Sequence, residues 1–198
     1  MEKMNELINE LGLNNQITLD EIPQIDLYMD QVIQLFENKF NSSKRNEEEK
    51  VLTKTMINNY AKGKLLFPIK NKKYSKEHLL LISFIYQLKG ALSINDIKET
   101  LSIVNKKITD EEFDINQFYE SFLHLSEKNF ASFNEDIEKK MENVKEEVEQ
   151  LNDKDANDLE KVLLITTLVN MSNLYRRVAE KLVDDLEDKK KEADPKDR

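Results

Sequence analysis

The sequence predicts an all-α protein with one minimal β hairpin, and three observations predict it. Glycine and proline are scarce, three of each in 198 residues, too few for the turns of a sandwich or barrel or for a glycine-rich phosphate loop. Apolar residues recur at spacings of three and four through most of the chain. Charged residues make up 35% of the sequence, and most of them lie between those apolar positions.

The elements follow in order. Residues 1–22 read as a short helix carrying Leu7, Ile8 and Leu11, then a loose connection to Pro23. From Asp26 to Phe40, Leu27, Met29, Val32, Ile33, Leu35, Phe36 and Phe40 give a helix with a wide apolar stripe. Asn41–Lys50 has no apolar residue and reads as a solvated linker. Thr53 can cap a helix that runs to Lys62, with Met56, Ile57 and Tyr60 inward, and Gly63 ends it. An extended apolar tetrad, Leu65-Leu66-Phe67-Pro68, leads into the basic hairpin or loop Ile69–Tyr74. Ser75 caps the helix Lys76–Lys89, and Ser93 with Asp96 forms a capping box for the next.

Beyond Thr109, Phe113, Phe118, Phe122 and Leu125 predict an amphipathic helix continuous with, or hinged to, a following one. There the apolar positions 130, 133, 137, 141, 144, 148 and 151 form a near-heptad, either a coiled-coil dimer seam or an internal packing face. Asn152–Ala156 makes a turn. A last helix, Asn157–Glu192, carries the apolar segment Val162–Leu174, expected to be core, and ends in a polar tail.

Composition excludes several functions. The chain has no cysteine, so disulfide scaffolds, thiolate chemistry and sulfur-ligated metal sites are out, and two histidines do not make a multi-histidine centre. His78 reads as a capping or packing residue and His124, between two leucines, as half-buried. No nucleophile–base pair stands out, and the carboxylate clusters Asp110-Glu111-Glu112 and Asp184-Asp185 lack the apolar surroundings that would separate their pKa values. We therefore expect a non-enzymatic protein without cofactor or metal. The start lacks the apolar core of a signal peptide. The longest apolar run, Leu79–Leu88, is interrupted by Ser83 and Gln87 and falls far short of the roughly 20 residues that span a bilayer. A cytoplasmic location, away from membranes, is the expectation.

The charge is unevenly placed. Residues 1–49 carry a balance of −7 and residues 91–198 one of −10, whereas residues 50–90 hold nine lysines and one acid, Glu77, for +8. A basic block inside an acidic chain is a footprint for an anionic partner, unless it is simply a solvated face. Thr53, Lys54, Thr55, Asn58, Asn59 and Lys62 put short polar and amide groups on the outer side of one helix, as base edges in a major groove require. Asn58 or Asn59 can pair with adenine or be a solvated amide. Lys64, Lys70, Lys72, Lys73 and Lys76 would meet phosphates, which position the protein without reading sequence.

The stretch TKTMINNYAKGKLLFP followed by KKYSKEHLLLISFIYQLKGALSINDIKETL resembles the DNA-binding domain of MerR-type transcription regulators. With the upstream PQIDLYMDQVIQLF, the chain is also similar to an uncharacterised bacterial family described only as a domain of unknown function. The resemblance implies a winged helix-turn-helix over residues 24–103, an N-terminal extension over 1–23, a C-terminal helical region for dimerisation or effector sensing over 104–192, and a disordered tail over 193–198. It implies Thr53 as the cap of the recognition helix, Thr55 facing the groove, Tyr60 in the place of an aromatic, Leu65, Leu66 and Pro68 on the strand entering the wing, and Lys73 and Tyr74 where the wing returns. Asn58 stands where the pattern has arginine, Gly63 lies one position early, and the wing is short. Tyr60 and Tyr74 thereby join the expected DNA contacts. The expected function is sequence-specific binding of double-stranded DNA by a homodimer that regulates transcription, with an unidentified small-molecule effector allowed. The alternative is a protein–protein adaptor that keeps the winged helix as a scaffold.

Overall fold

A computed structural model of the chain describes residue 8, residues 10–110 and residues 113–193. The chain is mostly helical with one two-stranded sheet. In order come β1 (Leu27–Tyr28), α1 (Met29–Phe40), a 3-10 turn (Asn41–Ser43), α2 (Lys54–Lys62), β2 (Lys73–Tyr74), α3 (Lys76–Leu88), α4 (Ile94–Thr109), α5 (Ile115–Glu149) and α6 (Ala156–Ala193).

The centre is α3. Every residue from His78 to Ile85 is buried, so this helix is surrounded rather than amphipathic. Around it pack Val32, Phe36 and Phe40 of α1, Ile57 and Tyr60 of α2, and Ile97, Leu101 and Val104 of α4. Ile17 and Ile22, upstream of β1, belong to the same core. The chain then enters α5 through an aromatic cluster in which Phe84 of α3 meets Phe118, Tyr119 and Phe122 at 5.0–5.6 Å. The Tyr119 hydroxyl donates to the Ile17 carbonyl at 2.8 Å. That buried bond ties the start of the domain to α5 and pairs the Tyr119 hydroxyl with the Ile17 carbonyl inside the core.

Caps stand where their residue types placed them. Thr53 accepts from the Met56 amide at 3.1 Å, and Ser93 and Asp96 exchange bonds of 3.1 and 3.2 Å. His78 caps too. Its Nδ1 accepts the Ser75 amide at 3.1 Å, so Nε2 carries the proton and donates to the Phe67 carbonyl at 3.2 Å. The ring also stacks on Phe67, with centroids 3.8 Å apart.

Several expectations are corrected. Residues 27–28 form a strand, so α1 starts at Met29 rather than Asp26. Leu65–Pro68 forms no strand. The strand that leaves the basic turn pairs instead with β1, Leu27 opposite Tyr74 and Tyr28 opposite Lys73, a partner some 45 residues away that no local pattern announces. Residues 115–149 are one unbroken helix, and the near-heptad is an internal packing face, with Ile137, Val144 and Val148 buried where α5 folds back along α6 through a turn at Asn152 (φ 47°). The segment Val162–Leu174 is not core. Val162, Ile165, Val169 and Leu174 are more than half exposed, because α6 packs on α5 and α4 and these apolar residues lie off both contacts. His124 and Leu11 are exposed as well. Leu7 and most of the polar tail, residues 194–198, lie outside the described residues, as does part of the first helix. Among the described residues no helix is long and apolar enough to cross a membrane.

Candidate nucleic-acid interface

The outer face of α2 presents Lys54, Thr55, Asn58, Asn59 and Lys62 to solvent, with Thr53 half-buried at its cap. Ile57 and Tyr60 turn inward because they lie one turn apart on the opposite side of the helix. Tyr60 is 5% exposed and Tyr74 3%, and burial raises both phenol pKa values. Neither phenol is presented to solvent as the lysines and amides of this face are. Their place among the expected contacts is corrected, since each fills the core beneath the residues that do face outward.

Next to α2 stands the basic turn. Lys70 O accepts from Lys73 N at 2.9 Å, and the two central residues, Asn71 (φ 52°) and Lys72 (φ 59°), are both left-handed. This is a two-residue hairpin turn of the kind that favours Asn-Gly. Here the glycine position holds a lysine. The end of α2 repeats the arrangement. Gly63 has an ordinary φ of −72°, and the left-handed residue is Lys64 at φ 60°. Gly63 is small for a different reason, since a Cβ there would sit 2.8 Å from Leu65 Cδ1 and 3.0 Å from the Asn59 carbonyl. Two lysines thus hold backbone conformations that cost an L-residue about 1 kcal/mol or more each.

The helix and the turn share a groove. Asn58, Lys72, Ile69, Tyr74 and the N-terminal edge of α1 (Tyr28, Met29, Asp30) line a hollow of about 530 Å³. On the other side of Ile69, a second hollow of about 470 Å³ runs past Lys64 to Lys106 in the last turn of α4. Lys73 is half-buried, with its Nζ 5.1 Å from the centre of the Tyr28 ring, which shields it but leaves its charge near the turn.

The face is not purely basic. Lys54 pairs with Asp30 at 2.7 Å, both largely exposed. Lys70 and Lys73 border a hollow that also holds Asp26, Glu77 and Asp114. Lys76 lies beside Asp114, whose carboxyl is held below its usual range by the Gln117 amide, by Asn116 and, in smaller part, by Lys76. Lys89, from the same basic block, turns inward. Its Nζ donates to the Val51 carbonyl at 2.7 Å and sits over Tyr86, and burial lowers its pKa. Sequence reasoning missed Tyr28, Asp30 and Lys106. The signal for the first two was weak, a Tyr28-to-Gln31 cap in which Gln31 accepts from the Tyr28 amide at 2.9 Å.

Fold and surface together define a class, a small helical domain with a cationic helix-and-turn face, carried on a long antiparallel helical hairpin. Residues 17–122 match the family model described as a domain of unknown function (DUF1836), and the chain belongs to that family. The match ends inside α5, one turn beyond Tyr119, so it spans the buried cluster around α3, from Ile17 to Tyr119, and stops where the hairpin departs. No curated protein and no solved structure matches the chain.

Proposed function

We propose that the chain is a non-enzymatic regulator of transcription that binds double-stranded DNA as a homodimer, with α1, α2 and the basic turn serving as a MerR-like winged helix-turn-helix. Asn58 and Asn59 read base edges in the major groove, Thr53 and Thr55 approach from the start of the helix, and Lys54, Lys62, Lys64, Lys70, Lys72, Lys73 and Lys76 neutralise flanking phosphates. One observation carries this reading. Lys64 and Lys72 occupy left-handed positions that glycine would hold without strain, on either side of the amide-bearing helix. Strain kept at a surface position, where packing does not demand the side chain, indicates that the charge itself is used.

The adaptor reading draws on the uncovered apolar residues of α6, which favour contact with protein. The two readings part over the basic face. Selection of bound fragments from random duplex DNA with the full chain should converge on one sequence. Asn58→Ala or Asn59→Ala should then relax the preference at one base pair, at about 1–3 kcal/mol. Failure to enrich any sequence at low salt, together with capture of a protein partner by α6, would favour the adaptor.

A further inference from the structure

Between the end of α2 and the last turn of α4 lies the hollow of about 470 Å³ that Lys64 and Lys106 border. Its size is that of a small-molecule site. One wall is the extended apolar segment 66–69, in which Phe67 and Ile69 are half-buried and Pro68 is exposed. The other wall is α4. Asn105 bridges the two, its Nδ2 donating to the Leu65 carbonyl at 2.8 Å while also reaching the Leu101 carbonyl of its own helix at 3.3 Å. Behind the first wall the chain is tied to α2, since the Leu65 amide donates to the Tyr60 carbonyl at 2.9 Å and the Lys64 amide to that of Ala61 at 3.1 Å. The hollow is therefore pre-formed, and an occupant need not open it. Its charged lining residues are Lys64, Lys106 and Asp110, all exposed, two positive charges against one negative. Lys64 is held at φ 60°, which fixes where its side chain leaves the backbone at the rim.

We propose that this hollow binds a small monocarboxylate with an apolar body. The body lies on segment 66–69, and the carboxylate meets Lys64 and Lys106. A surplus of one positive charge matches a single carboxylate rather than a dianion, and the apolar wall separates such a ligand from a bare inorganic ion. One part of the proposal rests on the DNA reading. Lys64 cannot neutralise a backbone phosphate while it holds the carboxylate, so ligand and duplex weaken each other's binding by the same factor. The site thereby makes DNA affinity answer to a metabolite of this chemical class, through a residue on the rim of the DNA face itself.

Amide NMR titration of the full chain without DNA tests the site, with phenylpropionate as the probe. Its Kd should be about 1 mM or tighter, and the shifts should centre on residues 64–69 and 105–109. Phenylpropionamide lacks the charge and acetate lacks the apolar body, so each should bind at least about tenfold more weakly. Lys106→Gln and Lys64→Gly should each weaken the probe about tenfold, whereas Lys106→Arg should retain it. These side chains are on the solvent side, so circular dichroism should be unchanged. A salt titration of duplex binding with about 10 mM probe, against matched acetate, reads the coupling: affinity should fall, and the slope of log K against log salt should flatten by about 0.9. A probe that binds no better than acetate, shifts centred elsewhere, or variants that bind as the wild type does would overturn the site. Probe binding that leaves duplex affinity unchanged would overturn the shared use of Lys64. A chain that binds duplex but no probe refutes this inference and leaves the DNA reading standing. One that binds the probe but no duplex does the reverse.

Discussion

Replacing Lys72 by glycine should make the protein more stable and a poorer DNA binder at once. Lys72 sits at φ 59° in the turn that links α2 to β2, where its Cβ crowds the following carbonyl. Relief of that crowding is worth about 1–2 kcal/mol, and the extra freedom of glycine in the unfolded chain takes back about 0.5–1. A net gain of about 0.5–1 kcal/mol remains. With a urea dependence of about 1–3 kcal/mol per molar, the denaturation midpoint should rise by about 0.2–1 M. No contact offsets this, since Lys72 is exposed and forms no ion pair among those of the described residues. Binding moves the other way. Removal of one phosphate contact should flatten the slope of log K against log salt by about 0.9. Urea titration and fluorescence anisotropy on the same preparation give both numbers. A variant that gains stability while its salt slope stays unchanged would refute the argument that strain is kept here for charge.

Other perturbations follow from the same contacts. His78 is neutral in the fold, its pKa lowered mainly by burial and only partly offset by the Phe67 carbonyl and by Glu77. Between its folded pKa and the unfolded value near 6.5 the unfolded chain binds more protons, so the histidine's contribution is complete above the unfolded value and is lost as pH falls through the folded one. His78→Ala should remove that acid-side slope from stability measured against pH and cost about 2–4 kcal/mol through the lost stack and bonds. Tyr119→Phe leaves the Ile17 carbonyl unpaired in the core and should cost about 1–3 kcal/mol by urea titration, with secondary structure intact. Gly63→Ala forces a Cβ against the Asn59 carbonyl and should lower the thermal midpoint and weaken DNA binding, because the end of α2 must shift.

Much of the domain could be read from the sequence where the controlling interactions are local. Thr53, Ser75 and Ser93 announce helix starts because a cap and its amide lie three residues apart. The outward set on α2 could be read too, since Ile57 and Tyr60 fix its inner side. The same periodicity argues against Tyr60 as a contact, and resemblance placed it there against that signal. What the sequence hid was non-local. The pairing of Tyr74 with Leu27 depends on where α1 delivers its first residues, and strain at Lys64 and Lys72 depends on backbone angles that residue type argues against. The apolar run Val162–Leu174 misled because hydrophobicity reports what wants burial, not whether a neighbour is present.

The central claim, that a strained cationic rim around Asn58 and Asn59 grips a duplex, is tested most directly by a salt titration of DNA binding for the full chain and for Lys64→Gly/Lys72→Gly. Log K for the wild type should fall linearly with log salt, and the double variant, though more stable, should show a slope flatter by about two units. Undetectable binding at low salt, or two parallel lines, would contradict it.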